Sequence, residues 1–330
     1  MKDRLLQKLD VIRKQSDPHA FILADAKDAD MAWGIPAAGS PAAANGKRWN
    51  TMPEFRQSIR EIVEDGVIDI LLASVSQLGL LDREGLFDRS DVTPAIRAND
   101  TTDIWCGRGA RYREEASRPF ATCDLGRAMA GTSAKLGLYS ITFNNDLDAD
   151  HESLEAFKRF RLKAEEHGFR YFLEVFAPNL AGRVTEGDLP HFVNDQICRC
   201  LAGVPVDNWP VFLKIPFLSP DAIEDLAAYD PENMIVGILG GSSGTTHDAF
   251  KLIGEAQRHG ARVALFGRKI KDAEHPVEFV RHLRKITDGD LSPEEAVRSY
   301  HDALGSSGLA PKRAIEDDLK LTATELSYAR

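Results

Sequence analysis

Short apolar runs alternate with longer amphipathic stretches along most of the chain. AFILAD (20–25), VIDILLAS (67–74), SAKLGLYSITF (133–143), FRYFLEVF (169–176), PVFLKIPF (210–217), MIVGILGG (234–241) and ARVALFG (261–267) read as strands, and TPAIRAN (93–99) as a weaker one. They lack strict apolar–polar alternation, as expected of strands buried on both faces. Helical patterns fall between them at 52–66, 150–168, 189–203, 219–230 and 246–260. Gly66 closes the first of these as a C-cap glycine would. The opening MKDRLLQKLDVIRKQSD predicts an amphipathic helix with Leu5, Leu6, Leu9 and Ile12 on one face.

Eight strands mostly separated by helices predict a (β/α)8 TIM barrel, α/β in class. The prediction is one barrel domain over 1–330, with its core at about 20–285 and a polar helical tail at 286–330. The tail suits either a cap on the barrel or contacts between subunits of a homo-oligomer. A doubly wound sheet gives similar local patterns, but no G-x-G-x-x-G opens a helix after the first strand. Two long connections, 34–51 and 106–124, each follow a strand and would lie on the catalytic face of a barrel.

With 43% hydrophobic and 28% charged residues, the composition is that of an ordinary globular protein. No run reaches the length of a membrane span, and the first helix lacks a secretion signal's apolar core and cleavage site, so the expected location is cytoplasmic. A net charge of −10 argues against nucleic acid as a partner. Of the four cysteines, Cys106, Cys123, Cys198 and Cys200, only the last two stand close, as C-x-C, and no second pair stands at metal-site spacing. They read as reduced thiols.

Two charged residues interrupt apolar strands. Lys214 in FLKIPF is flanked by apolar side chains, and Glu174 breaks FLEVF in the same manner. A lysine becomes an amine nucleophile when burial or a neighbouring cation disfavours its ammonium form. Lys135, opening the fourth strand, is the candidate second cation. Glu174 is a candidate for moving protons, since a buried carboxylate is costly without a partner or a task. Asp25 ends the first strand directly after its apolar run and is the third candidate, with Asp28 and Asp30 close by. Tyr139 is a weaker acid candidate and reads better as a core aromatic.

GGSSGT (240–245) follows the seventh strand and FGRK (266–269) the eighth. Glycines admit an anion close to backbone N–H groups, and barrels often bind phosphate with these two loops. Gly240, Gly241, Ser242, Ser243, Gly267 and Arg268 are therefore candidate phosphate contacts, with Thr245 able to add a hydroxyl. The loop is not a Walker P-loop, because it lacks G-K-[ST]. Arg108, Arg111 and Arg113 crowd the second long connection, as contacts for another anionic end of a substrate or as a solvated loop.

Over about residues 20–285 the sequence resembles the class I, Schiff-base aldolases of the DeoC/FbaB/LacD-like group. These include class I fructose-bisphosphate, tagatose-bisphosphate and sulfofructose-phosphate aldolases. The resemblance rests on ILAD, AKLGLYS, FLEV, FLKIPF, GGSSGT and FGRK. It implies a (β/α)8 fold, an imine on Lys214, proton transfer by Glu174, and a substrate-contacting or proton-shuttling Asp25. The implied chemistry needs no cofactor and no metal, only a lysine imine with a phosphorylated sugar or similar anionic ketose. Asp25-Ala26-Lys27 stands where tagatose-type members carry D-Q-R, and Lys269 where many carry Asn after the last G-R. These departures separate the class from the substrate, which the sequence does not name. The alternatives are a phosphosugar isomerase or epimerase on the same barrel, and a non-catalytic barrel that binds a phosphometabolite.

Overall fold

Eight parallel strands run in chain order around one sheet: β1 (Ile22–Lys27), β2 (Ile70–Ala73), β3 (Thr93–Arg97), β4 (Leu136–Thr142), β5 (Arg170–Phe176), β6 (Leu213–Lys214), β7 (Gly237–Gly240) and β8 (Val263–Phe266). The computed structural model describes residues 2–40, 48–100, 107–241, 244–323 and 326. β1 pairs with both β2 and β8, so the sheet curls round. The remaining seam is closed by a bridge between Ile215 and Ile238 and by the bonds Ile215 N–H to Gly237 O and Leu239 N–H to Ile215 O. The chain is a (β/α)8 barrel. β6 is cut to two residues of ladder where PVFLKIPF predicts eight, and Pro216, with no N–H to donate, follows the bridge.

The helices are α1 (Asp3–Arg13), α2 (Asp30–Trp33), α3 (Met52–Asp65), α4 (Val75–Arg83), α5 (Leu125–Gly131), α6 (Leu147–Glu166), α7 (Leu189–Leu201), α8 (Pro220–Tyr229), α9 (Thr246–Arg258), α10 (Arg268–Lys271), α11 (Pro276–Thr287), α12 (Pro293–Ser306) and α13 (Ile315–Asp318). The five helical patterns correspond to α3, α6, α7, α8 and α9. Gly66 ends α3 in the left-handed conformation at φ 75°, which favours glycine. The short helices α2, α4 and α5 carry weaker patterns, and the sequence reading passes over them.

Register sorts side chains between two apolar layers. Ile22, Ala24, Ile70, Leu72, Ala95, Leu136, Leu138, Phe172, Phe212, Val263 and Leu265 fill the barrel. Leu23, Leu71, Ile96, Tyr139, Ile141, Leu173 and Phe266 face the surrounding helices. α1 shuts the N-terminal end, with Leu5, Leu9 and Ile12 joining the interior cluster. Leu6, predicted on the same face, is instead 45% exposed, because it falls beside that stripe rather than on it. Buried Asp69 receives Arg4, Lys8 and Arg284, tying α1 and α11 to the barrel floor. The tail does not begin as a separate piece at 286: α11 straddles that boundary, and α12 packs against α9 and α11. Residues 318–323 then reach the start of α9, where Asp318 Oδ1 accepts from Thr246 N–H and Asp248 Oδ1 accepts from Thr322 N–H.

Candidate active site

The C-terminal mouth of the barrel opens into a cavity of about 660 Å³. Its floor is a row of polar side chains on four adjacent strands. Ser140 pairs in register with Glu174, and Glu174 with Lys214, so their side chains point inward at one level. Lys214 Nζ lies 2.5 Å from Glu174 Oε1. Ser140 Oγ–H donates to Glu174 Oε2 at 2.6 Å. Arg97, at the end of β3, donates from Nη2 to Ser140 Oγ and from Nη1 to Asp28 Oδ2, each at 2.8 Å. Lys214 is 7% exposed and Glu174 2%, so the pair meets the cavity with little water around it.

Asn99 fixes this row from behind. Its side chain accepts from Ser140 N–H and donates to Ser140 O, both at 2.8 Å, and its own carbonyl accepts from Arg97 Nε–H. Tyr139 is turned away from the cavity, stacked on Phe160 at 4.4 Å, and burial pushes its hydroxyl well above the usual phenol range. It is a core aromatic.

Two predicted residues stand elsewhere. Lys135 precedes β4, is exposed, and lies five residues before Ser140, roughly 16 Å down the strand at the N-terminal end of the barrel. It is not a neighbour of Lys214; the cation beside the Lys214–Glu174 pair is Arg97, whose Nη2 is 3.8 Å from Glu174 Oε2. Asp25 pairs with Leu71 and Phe266, both of the outer layer, so it projects away from the cavity. It forms an ion pair with Lys27 at 3.2 Å, both fully buried, with no aligned hydrogen bond to any described residue. Burial, only partly offset by Lys27, pushes the Asp25 carboxyl up to about 6. Of the three nearby carboxylates, Asp28 lines the cavity. Asp30 accepts from Ser74 Oγ at 2.6 Å, and burial raises its carboxyl.

Beside Lys214 round the mouth, on the two strands that follow β6, the cavity is lined by Gly240, Gly267 and Arg268. Arg268 is exposed and sits over the Trp33 ring at 6.0 Å. Gly240 is glycine for a packing reason, since a Cβ there would lie 2.2 Å from the Phe266 ring. At Gly267 a Cβ would stand 2.8 Å from Ala26 O, whereas at Gly241 it would meet open space. Ser242 and Ser243 lie outside the described residues. Thr245 is committed to structure: it caps α9 by accepting from Asp248 N–H and donates to Lys320 O. Lys269 Nζ binds Gly244 O at 2.8 Å and Thr245 O at 2.9 Å, joining the loops after β7 and β8.

The arginine-rich connection arches over the cavity, bringing Arg111, Tyr112 and Arg113 to its lining. Arg111 is paired with Glu114 and Glu115. The loop is held by Asn179 of the FAPN segment, which donates to Tyr112 O and Glu115 O and accepts from Ser117 N–H. Arg97, Asn99, Ser140 and Asn179 are residues the sequence reading passed over. Arg97 carried the signal used for Glu174 and Lys214, a charge ending an apolar strand.

Fold and site together define a (β/α)8 barrel with a buried lysine–glutamate pair at its C-terminal mouth. No family model matches the sequence. In structure the chain is similar to a fructose-bisphosphate aldolase from Slackia heliotrinireducens, with TM-score 0.64, 13% identity and 93% and 92% of the two chains covered. It is also similar to an archaeal fructose 1,6-bisphosphate aldolase, with TM-score 0.61, 17% identity and coverage of 86% and 98%. A third similar structure is an archaeal fructose-1,6-bisphosphate aldolase with its catalytic lysine covalently bound to a carbinolamine intermediate, with TM-score 0.60, 18% identity and coverage of 86% and 99%. In sequence, 105 residues, 32% of this chain, are 29% identical to 2-amino-3,7-dideoxy-D-threo-hept-6-ulosonate synthase 1 of Archaeoglobus fulgidus. That match spans 39% of the relative's length.

Proposed function

We propose that this protein is a class I aldolase that makes or breaks a carbon–carbon bond in a phosphorylated sugar or similar anionic ketose through an imine on Lys214. The observation that carries the reading is the 2.5 Å contact between Lys214 Nζ and Glu174 Oε1 at the floor of the cavity. Glu174 takes a proton from the Lys214 ammonium, and the freed amine attacks the ketone carbon. A proton then moves from the attacking nitrogen to the former carbonyl oxygen to give a neutral carbinolamine. Glu174 then returns its proton to that hydroxyl, which leaves as water, and the iminium forms. The iminium draws in the electron pair of the adjacent carbon–carbon bond while Glu174 removes a proton from the substrate hydroxyl beyond it.

Gly241, Gly267 and Arg268 hold the anionic end, placing the carbonyl over the amine, and such placement supplies much of the rate. The chemistry uses no metal. The structural likeness to fructose-bisphosphate aldolases supports this class of reaction. The choice of ketose is left to a panel of ketose and triose phosphates.

The test is borohydride reduction in the presence of that panel, followed by peptide mass mapping. A reduced adduct on Lys214 is expected, with turnover insensitive to chelators. Lys214→Arg should abolish turnover and leave inorganic phosphate binding nearly unchanged, because the anion contacts come from the loops after β7 and β8 and not from Lys214. Turnover that survives Lys214→Arg sinks the imine mechanism and favours an isomerase or a binding protein on the same barrel.

A further inference from the structure

We propose that Arg97 is a positioning residue that fixes which oxygen of Glu174 exchanges a proton with Lys214, acting through Ser140. The proposal rests on the imine reading above. Its basis is a chain across β3, β4, β5 and β6 made of two hydrogen bonds, from Arg97 Nη2 to Ser140 Oγ and from Ser140 Oγ to Glu174 Oε2, and the ion pair of Lys214 Nζ with Glu174 Oε1. A guanidinium only donates, and it keeps its charge at any working pH. Ser140 Oγ must therefore accept from Arg97, and its single hydrogen goes to Glu174 Oε2. That commits Oε2 and leaves Oε1 as the oxygen that exchanges a proton with Lys214 and with the carbinolamine hydroxyl.

Arg97 is held for this task. Asp28 takes Nη1, Asn99 O takes Nε, and the side chain is 5% exposed. Asn99 also clamps the Ser140 backbone from both sides, so the hydroxyl cannot drift from the guanidinium. The row alternates in sign, from Asp28 to Arg97 to Glu174 to Lys214. Arg97 Nη2 also lies 3.8 Å from Glu174 Oε2, so it faces the oxygen that Ser140 holds rather than the one 2.5 Å from Lys214 Nζ. Short charge-assisted bonds in a dry site strengthen one another along such a chain.

The experiment compares Arg97→Met, Ser140→Ala and the double variant with the wild type, measuring turnover against pH and borohydride trapping at Lys214. Either single change should lower kcat by about tenfold or more with little change in KM. Each should also move the acid limb of the pH–rate profile, because proton exchange at Lys214 loses the acceptor that Ser140 holds in place. The double variant should be no slower than the slower single, since both break one chain. Ser140→Ala leaves the Arg97–Asp28 pair whole, so it gives the same reading if Arg97→Met does not fold. Multiplicative losses, or slower turnover with an unmoved acid limb, overturn the role of Arg97 while leaving trapping at Lys214 intact. A wild-type protein that traps no carbonyl overturns the imine reading, and the Arg97 role with it.

Discussion

Asp25 and Lys27 are two full charges sealed outside the barrel interior, and removing both should cost little or help. Moving a buried carboxyl from its ordinary 3.8 to about 6 costs the folded state about 3 kcal/mol once the group is ionised. The sign follows from the raised value. The folded chain holds this proton more tightly than the unfolded chain does, so the contribution to stability is whole below about pH 4 and is lost as pH rises through 6. Asp25→Val alone strands the Lys27 ammonium, 1% exposed, and should destabilise the protein by about 3–5 kcal/mol at neutral pH. Asp25→Val with Lys27→Met replaces the pair by apolar side chains and should be neutral or stabilising by about 1–4 kcal/mol. It should also remove most of this group's loss of stability between acidic and neutral pH. Urea unfolding near pH 4.5 and near pH 8 measures both quantities. The double variant should keep its turnover, because Asp25 projects away from the cavity. A double variant that folds normally but loses turnover tenfold or more would show that Asp25 acts in the chemistry. A single variant as stable as the wild type would show that the pair is not coupled.

Asn179→Ala removes three hydrogen bonds that hold the arginine-rich loop, each worth about 1 kcal/mol net. Limited proteolysis should then cut within 107–118, and KM should rise several-fold, while the melting temperature falls by only a few degrees; protection equal to wild type would count against the clamp. Lys269→Met breaks the link between the loops after β7 and β8. Burial disfavours its ammonium, so the lost bonds and the relieved desolvation offset one another in stability. The expected change is about tenfold weaker inorganic phosphate binding, read by calorimetry, with Lys214 still trapped by borohydride.

Much of the barrel was legible because each strand is a short apolar run bounded by turn residues, and helices such as α3 and α9 carry clear stripes. Lys214 and Glu174 were legible for the same reason, as charges where apolar side chains belong. Arg97 gave the same signal but stood in the weakest strand, and the pair it forms with Asp28 joins positions 69 residues apart, which no local pattern reveals. Asp25 was misplaced by closeness to the apolar run. Counting by twos from Ile22 through Ala24 to Ala26 puts Asp25 on the other face. Lys135 could have been set aside by strand direction alone, since it stands before β4 and the cavity lies beyond its end.

The apolar plug made by α1 has a consequence for traffic. With Leu5, Leu9 and Ile12 closing one end, the described residues leave the mouth beneath the 107–124 loop as the way in and the way out. On the proposed chemistry, cleavage leaves one fragment covalently held on Lys214 and the other free. The free aldehyde can depart at once, and the tethered fragment follows only after water has released it. Run in the direction of synthesis, the same doorway imposes the reverse order of arrival: ketone first, aldehyde second.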